Sequence, residues 1–142
     1  MTISPRGAFW VWNPEVQKHH IHIVLTHPEI WQGKESVLMV NITSVRPKIA
    51  YDDTVEVCPD DYPEVVRHLS YIWFERAAFK PVQELSDECR TTMSGGGTYA
   101  SRLPPPSKAL FERICDGLQE SIDAKEWAQD YCFPRCRATA RS

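Results

Sequence analysis

The clearest hydrophobic pattern in this chain is Val37-Leu38-Met39-Val40-Asn41-Ile42-Thr43-Ser44. A nearly continuous apolar run of this length predicts a strand covered on both faces, here over 37–43. It ends in two hydroxyls, which can meet a ligand or satisfy the backbone of the following turn. Upstream, His19 to Thr26 alternates instead. Ile21, Ile23 and Leu25 share one face of that strand, and His20, His22 and Val24 share the other. The expected core is therefore Ile21, Ile23, Leu25, Leu38, Val40 and Ile42. Shorter β-prone runs predict strands at 8–12, 54–57, 70–74 and 77–82. Residues 28–36 read as a loop.

From Ser86 to Pro106 the pattern dissolves. Ser94-Gly95-Gly96-Gly97 predicts flexibility and Pro104-Pro105-Pro106 a stiff extended end, so 86–106 reads as a flexible insertion. Ser107 suits a helix N-cap, and Leu110, Ile114, Leu118 and Ile122 recur on one helical face. A helix is predicted over 107–122, weakened by Gly117. Residues 123–131 either continue it or begin a second helix, and 132–142 reads as a loose tail. The whole, 1–142, is expected to be one domain, with its core in about 7–85 plus the helix. The expected class is mainly β with a C-terminal helix, curled into a small barrel.

Composition adds limits. A chain of 142 residues, 42% hydrophobic and 25% charged, is long enough for a real core. No apolar run is long enough to span a membrane, and no signal peptide is visible, which favours the cytoplasm. The net charge of −3 disfavours a surface basic throughout, though a local basic patch is compatible with it. The five cysteines are an odd number and scattered, so free thiols are expected. Cys132 and Cys136 lack a second nearby pair, and no metal site or cofactor is predicted.

The order of these pieces resembles the MazF/PemK-like toxin family. Members open with a Gly-Asp-aromatic strand ending near Asn/Asp-Pro, similar to Gly7-Ala8-Phe9-Trp10-Val11-Trp12-Asn13-Pro14. A strand ending in Val-Leu-Ser follows, similar to His20-Ile21-His22-Ile23-Val24-Leu25-Thr26. A later strand ends in a Thr-Ser or Thr-Thr pair, like Ile42-Thr43-Ser44, and a final strand pair precedes a helix, like 70–82 and 107–120. The resemblance implies an SH3-like barrel, usually dimeric, and a toxin that cuts single-stranded RNA without metal. It carries over Thr43 and Ser44 as site residues. The family's Arg at the start of the second strand has no counterpart, since His19 or His20 stands there, and the first loop is very short. The resemblance further implies a homodimer and an antitoxin protein as partners.

Cleavage of RNA by its own 2′-hydroxyl needs a base, an acid and positive charge. His20 and His22 on one strand face, with Thr43 and Ser44 at a neighbouring strand end, are the candidate catalytic set; the same face also fits a partly solvated outer surface. His68, Ser70 and Asp53 are candidate substrate-binding residues, Asp52 and Asp53 being able to orient an imidazole. A turn-forming role fits the two aspartates equally. Trp10, Trp12, Trp31 and Trp73 can stack bases or fill a core. A phosphate held by protonated imidazole would bind more weakly as pH rises. The function expected is therefore an endoribonuclease-like toxin. The alternative is a non-catalytic nucleic-acid- or protein-binding module on the same barrel that lacks the family's Arg.

Overall fold

The computed structural model describes residues 2–13, 17–85 and 100–141, with side chains to residue 136. Eight strands and two helices follow in the order β1 (Ala8–Asn13), β2 (Lys18–Val24), β3 (Glu29–Trp31), β4 (Lys34–Ser44), β5 (Glu56–Val57), β6 (Ser70–Ile72), β7 (Ala78–Pro81), β8 (Ala100–Leu103), α1 (Lys108–Glu120) and α2 (Glu126–Arg141). Every strand pairing is antiparallel. The fold is thus mainly antiparallel β with two helices at its C-terminal end.

The sheet is built on β4. Its path runs β5-β6-β4-β2-β1-β8, with β3 and β7 also paired to β4. Met39 pairs with Val24 on one edge and Ala78 on the other, and Ile42 pairs with Ile21 and Ile72. One strand therefore carries β2 and β3 along one edge and β6 and β7 along the other. Between β2 and β3 the chain keeps contact with β4 through Thr26. Its buried hydroxyl accepts the Leu38 amide at 3.0 Å, a side chain standing in for a backbone carbonyl.

Strand alternation divides the interior into two layers. Ile21, Ile23, Leu25, Leu38, Val40 and Ile42 all enter the larger cluster, where they meet Leu110, Ile114 and Leu118 of α1. On the opposite face Val24, Val37 and Met39 pack with Phe9, Val11 and Leu85 in a smaller cluster. β4 is thus buried on both faces, as its apolar run predicts.

α1 begins where Ser107 accepts the Leu110 amide at 3.1 Å. It ends at Glu120, and Ser121 takes the cap position. Ile122 lies past that end and is 97% exposed, so the fourth member of the expected apolar stripe is lost. Gly117 is needed for close packing: a Cβ there would sit 2.4 Å from Val55 Cγ2 and 3.0 Å from Phe74 Cζ. The missing side chain lets α1 pack closely on Val55 and Phe74, beside the ends of the sheet.

Several expectations are corrected. Residues 28–36 are not a loop but a β3–β4 hairpin, turning at Gln32 (φ 49°) and Gly33 (φ 78°). Such consecutive positive angles make the two-residue turn whose twist matches a hairpin. Within the expected insertion 86–106, Ala100–Leu103 is a strand paired to β1, while 86–99, including Cys89, lies outside the described residues. The expected loose tail begins instead inside α2, where Cys132 and Cys136 are buried. Cys115 and Cys136 form a disulfide that ties α1 to α2, against the expectation of free thiols. Cys58 is an exposed thiol and Cys132 a buried one; burial pushes the Cys132 thiol up to about 12.

Candidate functional site

The face of β4 that carries Val37 and Met39 continues through Asn41 to Thr43. Its neighbour on β2 continues from Val24 to His22 and His20, and the register sets His22 beside Asn41. On the other edge Tyr71 stands opposite Thr43. The same sheet face therefore changes from apolar to polar partway along, and a cavity of about 490 Å³ opens over the polar part. His20, His22, Thr43 and Ser44, the four residues expected to act together, all line it.

Its floor is internally bonded. Asn41 Nδ2 donates to Thr43 Oγ1 at 2.9 Å. This occupies an acceptor site on the hydroxyl and leaves its proton to point elsewhere. His22 Nδ1 lies 3.1 Å from the His20 carbonyl. A carbonyl can only accept, so Nδ1 carries the hydrogen and Nε2 is the acceptor of the neutral ring. Burial pulls the His22 imidazole down to about 4. His20 is also lowered, by burial first and then by Lys18. Both rings are therefore mainly neutral at pH 7, and the protonated-imidazole clamp expected from the sequence is not the source of positive charge.

That charge comes from Lys18, Arg46 and Arg76, which line the same cavity. Arg46 is held in the turn after β4, where Val45 donates to Leu69 at 3.0 Å and Ile49 to Arg46 at 3.4 Å. Arg76 ends a short 3-10 turn anchored by buried Phe74, and its guanidinium lies 4.4 Å from the centroid of the Trp73 ring. Tyr51, Tyr71 and Trp73 form an aromatic wall, with Tyr51 and Tyr71 centroids 4.9 Å apart. The Tyr51 hydroxyl donates to Glu56, which raises its pKa. Among the described residues no carboxylate lines the cavity, although the chain as a whole is acidic.

The remaining candidates divide. His68 and Ser70 line a neighbouring cavity. Ser70 is buried and donates to the His68 carbonyl at 2.9 Å, so it shapes that loop. Asp53 is exposed and lines neither of these two cavities. Asp52 orients no histidine. One of its oxygens accepts the Thr54 amide and hydroxyl, at 3.0 and 2.6 Å, and the other accepts Ser121 Oγ at 2.6 Å. It is a turn former that also fastens the end of α1.

Sequence reasoning overlooked Arg46, Arg76, Lys18 and Tyr71 as site residues. Arg46-Pro47 signals only a turn, and the others sit on pieces whose positions depend on tertiary pairing. Among the described residues no group of three or more His, Cys, Asp or Glu is placed to hold a metal, and no helix is long and apolar enough to cross a membrane. No protein-family model matches the chain, and neither a curated protein nor a solved structure matches it.

Proposed function

We propose that this protein binds single-stranded RNA in the cavity over β2 and β4, on an SH3-like barrel of the MazF/PemK-like kind. The observation that carries this reading is charge sorting. A chain of net charge −3 gathers Lys18, Arg46 and Arg76 beside Tyr71 and Trp73, and among the described residues no carboxylate lines the cavity. Cations answer phosphate, and the part-exposed Trp73 ring offers a surface for an unpaired base. The order of sequence pieces supports the family reading. A homodimer, an antitoxin partner and a cytoplasmic setting belong to the same proposal.

Cleavage is a second reading, favoured by the fixed His22 tautomer. An Nε2 acceptor on a residue that lines the same cavity as Thr43 suits removal of a proton from a ribose 2′-hydroxyl. The 2′-oxygen would then bond to phosphorus as the 5′-oxygen leaves and takes up a proton. The products are a 2′,3′-cyclic phosphate and a 5′-hydroxyl, and the three cations would offset the charge gathering on phosphorus.

End-labelled RNA of mixed sequence, titrated in chelator, tests both readings. Binding through three cations implies a log–log salt slope of about −2, roughly a 15-fold loss between 50 and 200 mM salt. Arg46→Ala with Arg76→Ala should abolish it. RNA that fails to bind at 50 mM salt overturns the proposal. RNA that binds but stays intact, with no cyclic phosphate, overturns cleavage alone.

A further inference from the structure

The cavity just described has a neighbour of about 470 Å³. Ile21 and Ile42 line the second cavity, and both belong to the helix-covered side of the sheet. The two cavities therefore open toward opposite faces. They meet where the sheet stops, since Lys18 is the first residue of β2 and Ser44 the last of β4. Lys18, His20, Thr43, Ser44 and Arg46 line both.

Each cavity also has its own equipment. The first has Trp73 and Arg76, the second Trp10, Arg67 and His68. Trp10 lies parallel to the His19 ring, with centroids 5.5 Å apart and planes within 3°, and remains 39% exposed. That is a flat aromatic platform at the protein surface. Among the described residues neither lining contains an aspartate or glutamate. Two aromatic, cationic recesses are thus joined by a saddle of two cations, two hydroxyls and an imidazole.

We infer that the ligand is at least a dinucleotide drawn over the ends of β2 and β4, with one base in each cavity and the joining phosphate on the shared saddle. The inference rests on the single-stranded RNA reading and specifies how that ligand lies. The arrangement matches the repeat of a nucleic-acid strand, which alternates an anion with a ring. It also gives Trp10 a purpose that its position outside the core does not explain.

Binding of 2′-O-methyl oligonucleotides of one, two and five residues, which cannot be cleaved by 2′-oxygen attack, tests it. The dinucleotide should bind at least tenfold tighter than the mononucleotide, and the pentamer should gain less per added residue. Trp10→Ala should cost the dinucleotide about tenfold and change the mononucleotide by less than twofold, the mononucleotide taking the first cavity. Trp10→Phe should restore most of the loss and guards against a folding artefact, as does an unchanged melting temperature. A pentamer that binds while one and two residues bind equally overturns this inference alone. So does a dinucleotide indifferent to Trp10→Ala. A pentamer that does not bind overturns the RNA reading, and this inference with it.

Discussion

β4 presents two faces that share one backbone and differ in everything laid against them. Leu38, Val40 and Ile42 lie under α1 and α2, in an interior closed by a disulfide and by the missing side chain of Gly117. Val37 and Met39 are as deeply buried, yet two residues on the same face becomes Asn41 and then Thr43. The first face is a finished core. The second is a core for half its length and the floor of a cavity for the other half. Asn41 and Thr43 ride on the same strand as the closed face, and the register of β2 sets His22 beside Asn41. A polar group at 8% exposure, as Asn41 is, must be bonded, and its bond to Thr43 supplies both satisfaction and orientation.

Changes on the closed face should be the most damaging. Val40→Asp places an unpaired carboxylate in the larger cluster, costs more than about 4 kcal/mol and should leave no cooperative melt. A soluble, cooperatively melting variant would remove β4 from the centre of the fold. Next in size is the bridge between the helices. Its cysteines are 21 residues apart, and its reduction should lower stability by about 3 kcal/mol. Thermal melts with and without reductant, compared in Cys115→Ser with Cys136→Ser, measure it.

The open face should show its character through pH. His22 is held near 4 when folded, while an unfolded histidine titrates near 6.5. Between those values the unfolded chain binds more protons, so stability falls as pH falls from about 6.5 to 4. The full shift corresponds to at most about 3 kcal/mol. Denaturant midpoints in that window should fall in the native protein and flatten in His22→Leu. Ligand binding, carried by arginine and lysine, should hardly change between pH 6.5 and 8.

Gly117→Ala gains helix propensity but forces a methyl into Val55 and Phe74, so a net loss of about 1–2 kcal/mol is expected in urea unfolding. Thr43→Val takes the acceptor from the buried Asn41 amide, so a loss of about 1 kcal/mol is expected in urea unfolding. The same change should weaken RNA binding several-fold. A Thr43→Val variant that binds normally would deny the hydroxyl its contact.

These contrasts also mark how far the sequence could be read. Alternation in β2 and the doubled burial of β4 disclosed the six core residues and the shared face of the histidines, because period-two patterns report directly on sides of a sheet. The hairpin at Gln32-Gly33 escaped because Gln is a weak turn signal where Asn or Asp would be a strong one. β8 is four residues between glycines and prolines, and only its pairing with β1 makes it a strand. Residues 132–142 read as a loose tail, whereas α2 in fact runs on through Pro134. In the site, the imidazoles and hydroxyls were legible, but their protonation was not. It depends on burial, and burial depends on strands that no local pattern joins.

The pairing of β1 with β8 also has a consequence for synthesis. Ala8 finds its partner Leu103 95 residues further along the chain. At roughly 5–20 residues per second, the ribosome makes that partner several seconds after β1 has emerged. Throughout that interval the outer edge of β1, with Phe9 and Val11, stands as an unoccupied template for any extended chain nearby. A nascent chain stalled before Ala100 should bind chaperones and its own kind more readily than one released after Leu103.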